Sequence, residues 1–183
     1  MEEIEKEKEL VEKAKSDPGA FALLYERYYS PIFSYILKRT ANVEIAEDIT
    51  SVVFLKVLKN IWRFKWKGIP FSSWIYKIAT NEILNFYRKK KKTISLDKIK
   101  EIKSNSDLLE EIVKDQEELE KNKEFLELHK KVSQLPMKYQ EVIYLRYFEN
   151  KKIKEICEIL GKREGTVKSL LHRGIKRLKK LFG

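Results

Sequence analysis

The sequence predicts an all-α protein with an N-terminal helical bundle, a linker and a C-terminal helix-turn-helix domain. Apolar residues recur at helical spacing along most of the 183 residues, and no segment alternates as a strand would. Near the C-terminus, two short amphipathic segments flank Gly161, a residue suited to the positive φ that ends a helix. We place the bundle at 1–92, the linker at 93–125 and the helix-turn-helix domain at 126–183.

The N-terminal bundle begins with two predicted helices. Residues 2–16 are rich in Glu and Lys and predict a charged, frayed helix. Asp17 and Pro18 then form a start signal, because an acidic cap followed by a first-turn proline is typical of helix N-termini. The second helix contains Pro31, which should bend it or split it.

Two further helices complete the predicted bundle. Asn42 can cap the third helix with its side-chain oxygen. The core candidates of this helix are Ile49, Val52, Val53 and Leu55. A Gly-Ile-Pro break follows, and the fourth helix runs from Phe71 to about Lys92, with Trp74 expected in the core. Polar residues 93–106 predict a linker, and the acidic residues 107–131 predict a helix that leads into the C-terminal domain.

The C-terminal segment has the form of a helix-turn-helix. In its first helix Ile153, Ile156 and Leu160 repeat at helical spacing, Cys157 lies on the apolar stripe, and Gly161 ends the helix. The second helix carries an apolar stripe of Val167, Leu170, Leu171, Ile175 and Leu178. Between them lie polar and mostly cationic residues, namely Lys168, Ser169, His172, Arg173, Lys176 and Arg177. A cationic second helix after a tight glycine turn is typical of proteins that read duplex DNA in the major groove.

Composition and charge limit the classes of protein to which this chain can belong. The net charge is +11 and the pI is near 9.5, which suits a polyphosphate partner, although basic proteins also bind membranes and acidic proteins. One cysteine excludes an internal disulfide and fits a reducing cytosol. Neither a signal peptide nor an apolar run of about 18–20 residues is visible, so we expect a cytoplasmic protein without membrane insertion.

Two segments of the bundle are candidates for nucleic-acid contact. Residues 62–76 hold six aromatic and three basic residues, a mixture that suits stacking on unpaired bases, although the same aromatics also suit a core. For the loop from Lys65 to Phe71 both interpretations stay open. Residues 88–92 are five consecutive cations, and we favour phosphate contact over a solvated helix end, because an anionic partner relieves their mutual repulsion.

The acidic and metal-ligating residues do not indicate catalysis. Glu44, Glu47 and Asp48 share one helix side, without a histidine or second acidic pair beside them, and predict a basic protein partner. Two histidines and one cysteine make no recognisable metal site. Since no nucleophile–base pair and no phosphate-binding glycine loop is present either, we expect neither an enzyme nor a cofactor.

At this point the residues resemble a known family, the bacterial sigma factors. Ala46-Glu47-Asp48-Ile49-Thr50, Val53-Phe54-Leu55, Phe71, Trp74-Ile75, Ile78-Ala79, Asn81 and Arg88 resemble conserved region two. Leu135-Pro136, Val142 to Phe148, Glu155-Ile156, Leu160-Gly161 and Gly165 to Ser169 resemble region four. Having only these two regions is similar to the extracytoplasmic-function (ECF) subfamily.

The resemblance implies a function and partners. It implies an ECF-type sigma factor that binds core RNA polymerase, recognises the minus-ten and minus-thirty-five promoter elements and initiates DNA-templated transcription. Region two is then expected on the clamp helices of the β′ subunit, where it captures flipped bases, and region four on the β flap. An anti-sigma factor is a further expected partner.

Residue types and resemblance together assign the site residues. For the single strand at minus ten they are Lys65, Trp66, Lys67, Phe71, Asn81, Asn85, Arg88 and Lys89. For the duplex at minus thirty-five they are Arg163, Thr166, Lys168, Ser169, His172, Arg173, Lys176 and Arg177. For polymerase they are Glu47, Asp48, Thr50 and Ser51. The chain departs from the family at Asn85, where aspartate is common, and at Arg163, where a serine cap is usual.

Two alternatives to a sigma factor are open. A helix-turn-helix repressor or activator would bind duplex DNA without polymerase, but it leaves the N-terminal half unexplained. A nucleic-acid-processing enzyme would need a metal or acid/base constellation, which the sequence lacks.

Overall fold

A computed structural model describes residues 2–66, 68–94 and 127–183, and within these ranges the regular elements are helical. Lys67 and nearly all of the predicted linker lie outside the described residues; residues 93 and 94, assigned to the linker, instead continue the fourth helix. The chain divides into two compact units, one N-terminal and one C-terminal.

The N-terminal unit consists of four α-helices. They are α1 (Glu2–Ala14), α2 (Pro18–Thr40), α3 (Val43–Asn60) and α4 (Phe71–Ile94), with a 3-10 turn (Ile61–Arg63) after α3. Helix α2 packs against α1, α3 and α4, and α4 also contacts α1 and α3. The core side of α4 is formed by Phe71, Ile75, Ala79 and Ile83, which recur every four residues and are fully buried. This packing fixes which faces of α3 and α4 remain open to partners.

Local signals set the starts of α2 and α3 as predicted. Asp17 Oδ1 accepts a hydrogen bond from Gly19 N at 2.8 Å, and Asn42 Oδ1 accepts one from Ile45 N at 2.8 Å. Pro31, however, does not split α2, which is one helix from Pro18 to Thr40. Pro31 is exposed, while Ile32 beside it is fully buried, so core packing holds the helix on both sides of the proline.

Helix α1 is better anchored than its charged sequence suggests. Val11 and Ala14 are buried, and the buried Glu7 carboxylate accepts a hydrogen bond from the hydroxyl of Tyr28 on α2. The predicted charged helix is therefore present, and it contributes apolar side chains and one buried polar contact to the bundle.

The C-terminal unit contains the predicted helix-turn-helix. Its elements are α5 (127–133), α6 (Met137–Ile143) continued by a π-helical turn (Tyr144–Phe148), α7 (Ile153–Leu160) and α8 (Glu164–Phe182). Gly161 has φ 61° and ends α7, as the sequence predicted. Of the predicted stripe on α8, Val167, Leu170 and Leu171 are buried, and Cys157 on α7 is half-buried. The polar side of α8 is thereby left facing solvent.

A close helix–helix contact positions α8 on α6. Gly174 of α8 is buried, and a Cβ at this position would lie 3.1 Å from Ile143 Cδ1 and 3.3 Å from Tyr139 Cβ. The absence of a side chain at Gly174 therefore lets the two helices approach.

No described helix combines the length and apolarity that a membrane span needs. Within the same ranges no group of three His, Cys, Asp or Glu side chains is arranged to hold a metal ion.

Candidate nucleic-acid and polymerase interfaces

The outer side of the helix-turn-helix is an exposed, mostly cationic face, which we call the α8 face. Seven of the eight residues predicted for the minus-thirty-five duplex lie in α8, and Arg163 directly precedes it. All eight are exposed: Arg163, Thr166, Lys168, Ser169, His172, Arg173, Lys176 and Arg177. They are exposed because α8 buries only its opposite side, at Val167, Leu170, Leu171 and Gly174. The structure therefore brings every one of these predicted residues to one solvent-facing helix side and its N-terminus.

The start of α8 lacks a side-chain cap, as the sequence predicted. Arg163 is the capping residue and its side chain makes no cap hydrogen bond, although its carbonyl oxygen accepts bonds from Thr166 N and Val167 N. Glu164 in the first turn accepts a hydrogen bond from Lys168 Nζ at 2.6 Å. This hydrogen bond lowers the pKa of Glu164 and raises that of Lys168. Because both groups are exposed, the pair is weak, and Lys168 can exchange Glu164 for a phosphate or a base.

Two arginines of the α8 face make contacts within their own domain. Arg173 Nε donates to the carbonyl oxygen of Ser169 at 3.3 Å, which lays the side chain along the helix. The Arg177 guanidinium lies 5.3 Å from the ring centroid of Tyr139 on α6. Such a contact uses the face of the planar guanidinium and leaves N–H groups at its edge for an anion.

Phe71 is a core residue, and this corrects the expectation that it stacks on bases. Its side chain has 0% exposed surface. Its ring centroid lies 5.0 Å from that of Phe64, 5.4 Å from that of Trp74 and 5.8 Å from that of Tyr28. Both faces of the ring are inaccessible in this packing. Trp74, expected in the core, is half-buried beside it.

The rest of the aromatic–basic loop stays accessible. Lys65 is exposed, and Trp66 is half-buried with its ring centroid 6.2 Å from that of Phe64, edge to face. Lys67 lies outside the described residues. An exposed indole, Trp62, precedes the loop in the 3-10 turn after α3, with the Arg63 guanidinium 4.5 Å from its ring centroid. Of the loop residues predicted for single-strand contact, Lys65 and Trp66 thus remain candidates.

The outer face of α4 carries the remaining candidates for the minus-ten strand. Asn81, Arg88 and Lys89 are exposed, and Asn85 is half-buried. Spacings of three and four residues place Asn81, Asn85 and Arg88 on one helix side. Asn85 Nδ2 donates to Glu82 Oε1 at 3.3 Å, so this side chain is held in place.

The outer side of α3, which we call the α3 face, combines carboxylates with apolar side chains. Glu47, Asp48 and Ser51 are exposed as expected of polymerase-binding residues. Thr50 is not: it is buried, and its hydroxyl donates to the carbonyl oxygen of Ala46 at 2.6 Å. This corrects the assignment of Thr50 to the polymerase surface, because its only polar group is used within the helix.

The apolar part of the α3 face was missed by the sequence analysis. Val52 and Leu55, predicted as core, are 40% and 54% exposed, and Leu58 is also exposed. Ile49 and Val53 are buried as predicted. A signal was present, since Leu55 lies four residues after Ser51 and seven after Asp48, which puts all three on one helix side. Exposed aliphatic side chains beside carboxylates mark a surface suited to a protein partner.

Two family models and two sequence relatives match this chain. Residues 24–93 match the family model for sigma-70 region 2, and residues 125–178 match the model for sigma-70 region 4. The chain is 35% identical to the ECF RNA polymerase sigma factor SigW of Bacillus subtilis, over 94% of each chain. It is 28% identical to the ECF RNA polymerase sigma factor BldN of Streptomyces coelicolor, over 95% of this chain and 65% of BldN.

Two solved structures share the fold. CnrH, in complex with the cytosolic domain of CnrY, superposes with a TM-score of 0.70 at 17% identity over 96% of each chain. RpoE of Bartonella quintana, in complex with the anti-sigma factor NepR, superposes with a TM-score of 0.69 at 19% identity over 88% of this chain and 96% of RpoE.

The two regions define a sigma factor of the sigma-70 type. With its similarity to SigW over nearly the full length of both chains, this chain belongs to the family of ECF RNA polymerase sigma factors. It is therefore a promoter-recognising factor for transcription initiation, and core RNA polymerase and promoter DNA are its partners.

Proposed function

We propose that three surfaces of this sigma factor bind three different partners. The α3 face docks on core RNA polymerase, the outer face of α4 with the loop before it holds the non-template strand at minus ten, and the α8 face reads the minus-thirty-five duplex. The observation that carries the proposal is that all eight polar residues of the α8 face are exposed, six of them at the spacing of one helix side and two at its N-terminus.

On the α8 face, residues in the early turns contact bases and residues in the later turns contact phosphates. The N-terminal part of a recognition helix enters the major groove, where side chains reach base edges. Lys168, Ser169, His172 and Arg173 lie in these turns. Lys176 and Arg177 lie further along, and Arg177, whose guanidinium lies near the Tyr139 ring, can donate to a backbone phosphate.

The α3 face suits a polymerase partner because it has an apolar centre and an acidic edge. Val52, Leu55 and Leu58 supply surface whose burial stabilises a complex, and Glu47 and Asp48 supply charges that orient a basic partner. We infer that this face meets the clamp helices of the β′ subunit, and that the C-terminal unit meets the β flap.

For the minus-ten strand we propose Lys65, Trp66, Asn81, Asn85, Arg88 and Lys89, with Lys67 retained from the sequence alone. The exposed cations neutralise backbone phosphates, and the half-buried Trp66 offers a ring to an unstacked base. Phe71 is left out of this set, because it supports Trp74 and Phe64 from within the core.

Further proposals concern domains and cellular context. We retain 1–92, 93–125 and 126–183 as region two, linker and region four, with α4 of region two extending to Ile94, two residues past the first boundary. The acidic stretch from 107 to 127 suits a linker that passes through a channel built for nucleic acid. Two fold relatives were solved with a protein partner, the anti-sigma factor NepR and the cytosolic domain of CnrY. We infer an anti-sigma factor for this chain, a cytoplasmic location, and a role that is not enzymatic.

Run-off transcription tests the proposal. Core RNA polymerase is incubated with promoter-library DNA in the presence and absence of the chain, and the products are sequenced to locate start sites. We expect new start sites that appear only with the chain, and we expect Leu55→Asp to abolish them while the exposed control Leu23→Asp on α2 does not. Binding to duplex DNA without any new start site would instead identify a repressor or activator. DNA cleavage or modification without polymerase would identify an enzyme.

A further inference from the structure

One carboxylate joins α3 to the nucleic-acid face of α4. Lys56 Nζ of α3 donates to Glu82 Oε1 of α4 at 2.6 Å, and the Glu82 side chain is 15% exposed against 46% for Lys56. Asn85 Nδ2 donates to the same Glu82 oxygen at 3.3 Å. Glu82 is therefore held from one side by a cation and from the other by the amide of a residue assigned to the minus-ten strand.

The shared carboxylate decides which end of the Asn85 amide faces it. An ionised carboxylate accepts hydrogen bonds and cannot donate them, whereas an asparagine amide donates through Nδ2 and accepts through Oδ1. Nδ2 is therefore the end that turns to Glu82, and Oδ1 is the end that turns away. Asn85 lies between Asn81 and Arg88 on the outer side of α4, so the outward end of its amide is an acceptor.

We propose, resting on the proposed function of this α4 face, that Glu82 is a positioning residue that makes Asn85 select adenine or cytosine over thymine or guanine. Adenine N6 and cytosine N4 are amino donors, and they occupy the place on the base edge where thymine O4 and guanine O6 are carbonyl acceptors. An acceptor that faces this place attracts the amino group of adenine or cytosine and repels the carbonyl oxygen of thymine or guanine. Lys56 contributes by holding the Glu82 carboxylate in place. The fixed carboxylate prevents the half-turn of the Asn85 amide that would exchange the positions of Nδ2 and Oδ1. The chemical identity of the selected base thus depends on two residues that themselves contact no DNA.

The test measures base preference in the assembled holoenzyme. The full chain is bound to core RNA polymerase and mixed with DNA in which a duplex is followed by a single-stranded non-template segment of randomised sequence. Bound and free DNA are sequenced. For the wild type we expect one position where thymine and guanine are both depleted on the order of threefold to tenfold, the effect of one hydrogen bond.

Variants of Glu82 and Asn85 distinguish a role of Glu82 in orienting the Asn85 amide from a role in folding alone. In Glu82→Gln the new amide can donate or accept, so Asn85 can present either end, and the depletion of thymine and guanine at that one position should disappear. The double variant Glu82→Gln with Asn85→Asp should restore it, because the amide introduced at position 82 then donates to a carboxylate whose second oxygen faces outward. Far-ultraviolet circular dichroism checks that all variants remain folded.

A matched pair on α3 tests the contribution of Lys56. Lys56→Met and Lys59→Met each remove one cation from the last turns of α3, and Lys56 is the one that contacts Glu82. We expect weakened discrimination at the same DNA position in Lys56→Met and unchanged discrimination in Lys59→Met. Because preference is read within the bound fraction, a change in affinity for polymerase does not affect the comparison.

Each other outcome overturns the inference. If Glu82→Gln selects the same sequences as the wild type, or if the double variant fails to restore the preference, Glu82 does not set the orientation of Asn85, and the proposed function stands without it. If the wild-type holoenzyme selects no sequence in the single-stranded segment, the proposed role of the α4 face fails first and the inference fails with it.

Discussion

Replacing Gly174 with alanine should weaken the domain that reads the minus-thirty-five element. The new Cβ would lie 3.1 Å from Ile143 Cδ1 and 3.3 Å from Tyr139 Cβ. Ile143 is almost fully buried, so its terminal methyl has little room to withdraw. Tyr139 Cβ is attached directly to the backbone of α6 and moves only if the helix moves. The substitution therefore forces α6 and α8 apart.

The size of the effect follows from two opposing contributions. Alanine in a helix interior is favoured over glycine by about 1 kcal/mol. Overpacking a well-packed contact costs about 1–3 kcal/mol. We expect a net loss near 1 kcal/mol, which for a domain of this size lowers its melting temperature by about 4–8 °C. Because Gly174 directly follows Arg173, the displaced helix should also bind duplex promoter DNA more weakly.

Gly165 provides the matched control. It also lies in α8, but a Cβ there meets no heavy atom within 4 Å and its φ is not positive. Gly165→Ala should therefore raise stability by about 0.4–1 kcal/mol, mainly by restricting the unfolded chain.

The assay can report the two units separately in the full chain. All three tryptophans, Trp62, Trp66 and Trp74, lie in the N-terminal unit, whereas circular dichroism follows the helices of both units. Urea unfolding of Gly174→Ala should show an earlier transition by circular dichroism and an unchanged one by tryptophan fluorescence. A variant that is stabilised as much as Gly165→Ala would refute the reasoning, because Ile143 would then have room to yield.

Three further predictions follow from the other surfaces. Asp48→Lys should weaken binding to core RNA polymerase about tenfold without loss of helical signal, whereas the charge reversal Glu9→Lys, at an exposed position of α1, should leave binding unchanged. Equal affinities of the two variants would remove the α3 face from the interface. Arg173→Ala should relax discrimination at one minus-thirty-five base pair by about 1–3 kcal/mol, whereas a uniform loss across promoter variants would make Arg173 a phosphate clamp. Tyr28→Phe should cost about 1.5–3 kcal/mol, because it removes a hydrogen bond to the buried Glu7 carboxylate. Burial, and then the bond to Glu7, raises the pKa of Tyr28 above its unfolded value of about 10, so this stabilisation is present below that pH and is lost above it. Urea midpoints of wild type and Tyr28→Phe that fall equally at alkaline pH would contradict this.

The sequence by itself determined the features that depend on neighbouring residues. The caps at Asp17 and Asn42 and the positive φ of Gly161 are set within a few residues, and the structure confirmed all three. The polar side of α8 was equally readable, because its apolar stripe was long and regular. A helix with one clearly apolar side leaves little choice about which side remains exposed.

The tertiary structure alone decided which apolar side chains are covered and which distant residues meet. Helix α3 has apolar residues on more than one side, and only the packing of α2 and α4 determines that Leu55 is exposed, just as it determines that Phe71 is buried. Lys56 and Glu82 are 26 residues apart, and no local pattern indicates that they form an ion pair. The physical reason is that spacing along one helix fixes which residues share a side, whereas burial and long-range contacts depend on which other helices lie against that side.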